Sequence, residues 1–240
     1  MGLWSKIKNA VKKVVRVVKA VVRVVVRVVV TIINRLTLGL PDLLLGFLAW
    51  PPKNLRLHVI VLWTDPPPGG GDEMPSITQI TEEAIQRTKR IYKDKFNVNV
   101  KPYSKSFIEI LTDPPAPPTV LDYECGIGSE FGEAGEYFAN HLAGWNAIPI
   151  SLTFPITVFV VRDMKGDSLG CSMSVIGDYV VIDRAGLLDN VALAHEIGHT
   201  CGLWHSKTST NLMFESSPAG ENVKWFQKNI LRSSRHVQYW

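Results

Sequence analysis

Residues 195–205 read HEIGHTCGLWH, and the reading of the whole chain turns on them. On a helix, His195 and His199 project from one face about one turn apart. At that separation two imidazole nitrogens reach one divalent ion. Glu196 follows the first histidine directly and stands to the side of such an ion. There it takes a proton from water without filling a coordination position. Gly202, three residues past His199, suits a backbone of positive φ that ends the helix and turns the chain back. His205 then approaches as a third ligand. Three imidazoles and one open position describe a catalytic zinc site, since structural zinc sites are closed by four protein ligands. Five fixed positions in eleven arise by chance in about one in ten thousand chains of this length.

Working outward, the spacing predicts a helix over Leu187–Thr200 that carries the site, and before it a hairpin over Met173–Asp183 turning at Gly177-Asp178. Thr157–Arg162 (TVFVVR) is an apolar run suited to a central strand. Leu55, Leu57, Val59 and Val61 alternate in the first strand, and Ser76–Phe96 carries Ile77, Ile80, Ile85, Thr88, Ile91 and Tyr92 as the inner stripe of a helix. A strand region over 97–111, a helix over Glu133–Trp145 and a last amphipathic helix over Glu221–Ser234 complete the body. DPPPGGGD at 65–72 and DPPAPP at 113–118 are loops. Strands alternating with helices predict an α/β (α+β) body over residues 51–240.

HEIGHTCGLWH resembles the extended zinc signature of the metzincin metallopeptidases. Asn211-Leu212-Met213 resembles the methionine turn that lies beneath the metal in that clan. WFQKNILRSSRHV, 225–237, resembles the closing helix of its matrixin-like and reprolysin-like branches. The likeness is specific over about 187–237 and architectural over 54–186. It implies a twisted mixed sheet, a backing helix, an active-site helix and a small C-terminal subdomain: an upper part over 51–202 and a lower part over 203–240. It also implies a zinc endopeptidase with His195, His199 and His205 as ligands of one catalytic Zn2+ and Glu196 as general base, supported by Gly202 and Met213. The substrate would be an extended protein or peptide paired to an edge strand near Leu169–Ser174. Glu215 stands where some branches place a tyrosine that reaches the metal, which implies three histidines plus water. A calcium site is known in the clan, but no loop here specifies one.

The first fifty residues have no counterpart in that family. Residues 11–30 hold thirteen valines, and Lys8, Lys12, Arg16, Lys19, Arg23 and Arg27 recur every three or four positions. This predicts an amphipathic helix over Trp4–Asn34 with a charged stripe of roughly 100°. Crossing a membrane is disfavoured. Four charges in the window 14–33 cost about 10–14 kcal/mol, and its fourteen Val and Ile return about 4–8. A membrane surface or a protein partner through residues 1–35, copies of the chain included, remain the alternatives, with a targeting role a third.

Of 26 Lys and Arg, nine lie in residues 1–35, where there is no acid, so the remaining 17 face all 22 Asp and Glu. A basic arm on a mildly acidic body gives no surface for nucleic acid, and no nucleic-acid partner is expected. No cleavable signal peptide is expected in the arm, though a secreted or membrane-associated location suits it. Cys125, Cys171 and Cys201 allow one bridge or none. His58, His141 and His236 have no ligand spacing. Beside a tethered peptidase stand two other readings: a membrane-active or self-assembling toxin with a peptidase payload, and an inactive zinc-binding module.

Overall fold

The computed structural model of the 240-residue chain describes residues 3–64, 76–126, 128–143, 155–166, 168–172 and 177–239. The 65–72 loop, residues 144–145 and residues 173–176 of the expected hairpin lie outside them.

The sheet is built on β1 (Lys53–Val61). Leu55, Leu57, Val59 and Val61 enter one core cluster, while Ile60 and Leu62 enter a second on the opposite face. Burial on both faces is what a central strand of a largely parallel sheet requires. On one side β1 pairs in parallel with β2 (Val98–Pro102) and then with β3 (Ile108–Ile110). On the other it pairs in parallel with β5 (Ile156–Val160). Next come β8 (Tyr179–Ile182), parallel to β5, and β7 (Gly170–Ser172), antiparallel to β8 at the end of the order. β4 (Asp122–Glu124) and β6 (Asp163–Lys165) form a separate parallel pair.

α3 (Ile77–Phe96) backs one face of the sheet, with Ile77, Ile80, Ile85, Thr88, Ile91 and Tyr92 buried. Its start is fixed by Ser76, whose hydroxyl accepts from the Gln79 amide at 3.2 Å. Its end is fixed by Asn97 at φ 52°. The opposite face is filled by Phe159 and Tyr179 of the sheet and by Val120 of α4 (Pro118–Leu121). Phe138 of α5 (Glu133–Asn140) packs among them, its ring 4.7 Å from that of Phe159.

Three expectations change. The single helix over 187–200 is two, α6 (Arg184–Leu188) and α7 (Ala192–Thr200). Asp189 lies in the break, and its Oδ1 accepts the amides of Val191 and Ala192 at 2.8 Å each, starting α7 afresh. The hairpin before them begins earlier than expected, with Gly170–Ser172 already antiparallel to β8, and residues 173–176 lie outside the described residues. The last helix, α8, is confined to Trp225–Arg232. After it the chain returns to the main sheet, where β9 (Val237–Gln238) pairs antiparallel with Asn54 and Leu55 of β1.

The arm is the helix α1 (Leu3–Leu36), followed by α2 (Leu40–Leu45) and a 3-10 turn over Gly46–Leu48. No described helix is long and apolar enough to cross a membrane. The body covers Arg16, Arg23 and Arg27 of the charged stripe of α1, while Lys8, Lys12, Lys19 and most of the valines stay exposed, unlike ordinary amphipathic packing. Arg27, 2% exposed, donates to Asp178 and to Glu130 at 2.9 Å each. Arg16 meets Glu136 at 2.6 Å. Arg235 joins Asp178 and the Thr31 hydroxyl from the other side, and Tyr179 donates to Glu130 at 2.9 Å. Burial alone would raise the Asp178 carboxyl. Arg235 and Arg27 outweigh that and hold it below its usual range. Asp42 of α2 makes a second buried cluster, accepting from Lys53 at 2.8 Å and Arg232 at 2.9 Å.

Candidate metal centre

α7 places Leu193, Ala194 and Ile197 in the core beside α3 and turns His195, Glu196 and His199 toward the cleft. At its end the Leu203 amide donates to the Gly198 carbonyl at 2.9 Å and the Gly202 amide to the His199 carbonyl at 2.8 Å. This closure requires the left-handed backbone found at Gly202, φ 93°. The turn brings back His205, and the three histidines meet. The Nε2 atoms of His199 and His195 lie 2.9 Å apart, and those of His199 and His205 lie 3.0 Å apart.

Proton positions follow from the opposite side of each ring. The Nδ1 of His195 lies 2.8 Å from the Leu212 carbonyl oxygen, and the Nδ1 of His199 lies 2.8 Å from that of Leu203. A carbonyl only accepts, so both Nδ1 atoms carry the proton and both Nε2 atoms present lone pairs to one another. Burial lowers the pKa of both rings, that of His199 to about 4, which keeps them neutral at physiological pH. Facing lone pairs repel unless a cation stands among them. The backbone bond behind each ring is also the support that metal-ligating imidazoles ordinarily have. These residues therefore fit a divalent ion of borderline softness, zinc above all. No other group of three His, Cys, Asp or Glu among the described residues converges in this way.

Met213 is buried below α7, and its Sδ would stand 2.8 Å from a β-carbon at position 198. Gly198 thus lets the turn and the helix touch. Through that contact Leu212, next in the chain, holds its carbonyl to His195. Glu196 faces β7, and burial pushes its carboxyl up to about 7 against the opposing pull of the Ser172 hydroxyl. The surrounding cleft, about 720 Å3, is lined by β7 on one side and by residues 214–217 on the other. Cys125 and Cys171 are bonded in its wall, and Cys201 is a buried free thiol that burial raises to about 12.

Several contributors carried no readable signal. Leu203 and Leu212 act through backbone carbonyls, so their side chains announce nothing. Asp189 did have one, an acid three residues before Ala192 in the manner of a helix cap. It also accepts from the Ser217 hydroxyl at 2.7 Å, joining the start of α7 to the facing cleft segment. His58 pairs with Glu109 at 2.9 Å, His141 stacks on Tyr137 and His236 is buried near Asp178. None of these joins the site.

No family model matches the chain, and no curated protein matches it. Among solved structures it is similar to metalloproteinase-II from Bacteroides fragilis, with 15% identity and a TM-score of 0.48, over 77% of this chain and 54% of that one. It is similar to archaemetzincin from Methanopyrus kandleri, with 14% identity and a TM-score of 0.39, over 76% of this chain and 88% of that one. A chaperone-substrate complex matches at 12% identity and a TM-score of 0.38, over 66% of this chain and 25% of that one. The chain thus spans about half the length of the Bacteroides protein.

Proposed function

We propose that the protein is a zinc-dependent endopeptidase of the metzincin kind, with His195, His199 and His205 as metal ligands and Glu196 as general base. The observation that carries this reading is the meeting of three imidazole nitrogens beside a half-buried carboxylate in an open cleft. Zinc in such a site supplies a Lewis acid that polarises a carbonyl and acidifies water. Glu196, its basicity raised by burial, takes a proton from the attacking water as the oxygen bonds to the scissile carbonyl carbon. It then passes that proton to the nitrogen as the C–N bond breaks. β7, at the end of the sheet, offers backbone groups to an extended peptide. The methionine turn and closing helix favour the matrixin-like or reprolysin-like branches.

We infer further that the arm tethers this enzyme to a membrane surface or a partner. The Cys125–Cys171 bond supports an extracellular or otherwise oxidising location. A digest of a peptide library with and without a zinc chelator, alongside the zinc content of the purified chain, tests the enzyme reading. Chelator-sensitive cleavage with about one zinc per chain is the expected result. Zinc without cleavage would leave a binding module instead.

A further inference from the structure

We propose that the outward valine face of α1 is a docking surface for an anionic lipid bilayer, on which the helix lies flat with the body on the solvent side. This rests on reading the arm as a tether and is independent of the peptidase reading.

The argument begins with which side of α1 is already occupied. At 100° per residue, Arg16, Ala20, Arg23, Arg27, Thr31 and Asn34 share one side, and all are buried or half-buried against the body. Val11, Val14, Val18, Val22, Val25 and Val29 point the opposite way, and each is exposed. Thirty-four residues make a stripe about 50 Å long. An apolar strip of that length and about 10 Å width is on the order of 500 Å2, as large as the patches that monomers reserve for a ligand. The Arg27 cluster holds the helix in this orientation before anything binds. Docking then costs no helix formation and no rotation.

The charges choose the occupant. Lys6, Lys8, Lys12, Lys13 and Lys19 are exposed, and no acid precedes Asp42. On the helical wheel Lys8, Lys12 and Lys19 border one edge of the valine face, and Lys6 and Lys13 border the other. From these edges long stems can cover apolar surface while the ammonium groups reach a plane of lipid phosphates. A second copy of the chain would bring the same positive edges against these. The broad run of similar valines also lacks the narrow a/d seam by which two helices select each other. Trp4, 80% exposed, and Trp50, 78% exposed, mark the two ends of the α1–α2 segment. Tryptophan favours the headgroup level of a membrane interface.

The test is co-sedimentation of the full chain with vesicles of phosphatidylcholine alone and of phosphatidylcholine with one quarter phosphatidylglycerol. Expected are sedimentation with the anionic vesicles, loss of most of it in 0.5 M salt, and little with the neutral ones. Lys12→Gln with Lys19→Gln should lower the partition constant about thirtyfold. Val18→Glu, Val22→Glu and Val25→Glu together should abolish it with an unchanged circular dichroism spectrum, because these side chains are exposed. Absence of wild-type sedimentation with anionic vesicles overturns the proposal. So does equal binding by the glutamate variant, or a stable oligomer that the same three substitutions dissolve while vesicles go unbound. Cleavage recorded on the same samples keeps the two readings apart, since intact sedimentation without cleavage counts against the peptidase alone.

Discussion

α1 and α7 both carry polar residues at helical spacing on one face of an otherwise apolar sequence, yet they meet opposite fates. α7 buries its apolar side against α3 and opens its histidines to a cleft. α1 turns Arg16, Arg23 and Arg27 to the body and leaves most of its valines in solvent. What stands opposite makes the difference. Glu136, Glu130 and Asp178 wait for the arginines of α1, whereas only backbone carbonyls stand behind the imidazoles of α7. A period places residues on a face, and the partner surface decides what that face is for.

The largest test of this contrast is Glu196→Ala. If the polar face of α7 serves chemistry, kcat should fall by about 10²–10⁴-fold with zinc content and melting temperature unchanged. Loss of zinc, or a marked drop in melting temperature, would give the residue a structural role and erase the contrast. Next is Arg27→Ala, which removes the shared cation from Glu130 and Asp178 in a buried cluster. Equilibrium denaturation should show a loss of about 3–5 kcal/mol, with activity per folded molecule retained. An effect below about 1 kcal/mol would mean that the charged face of α1 is solvated like any surface pair.

A pH series on the metal-free protein sharpens the other side. The His199 pKa is depressed from 6.5 to about 4. Its contribution to stability is complete above 6.5 and is lost as pH falls toward 4, where the unfolded ring binds a proton first. Glu196, raised from 4.5 to about 7, acts in the opposite sense. Its contribution is complete below 4.5 and is lost as pH rises through about 7. The two largely offset each other in the wild type. Glu196→Gln should therefore expose a steeper fall in melting temperature from pH 6.5 to 4, and parallel curves would refute the pairing. The smallest effect is expected at Val25→Ala. Replacing this exposed valine should bring a gain of about 0.5 kcal/mol from helix propensity. A loss of 1 kcal/mol or more would show that the valine face already has a partner.

Much of this was legible in the residues. The alternation of Leu55, Leu57, Val59 and Val61 marked β1, and the isoleucine stripe marked α3 with both ends nearly in place. The spacing of HEIGHTCGLWH brought its three histidines to one point, because a helix turn and a glycine are local matters. Other features were less so. The break within 187–200 is less legible, since the apolar pattern resumes on both sides of Asp189-Asn190 and the new start depends on the Asp189 carboxylate. The pairing of Cys125 with Cys171, 46 residues apart, had no local signature at all.

The sequence by itself determined the periods: where helices and strands run, which residues share a face, and which imidazoles meet at a turn. These depend on covalent geometry repeated over a few residues. Only the tertiary structure decided which face of α1 is buried, which acids receive Arg27, which carbonyls set the proton on His195 and His199, and that β9 closes beside β1. Each of those is a comparison between water and a group brought from far along the chain, and its free energy exists only once the chain has folded around it.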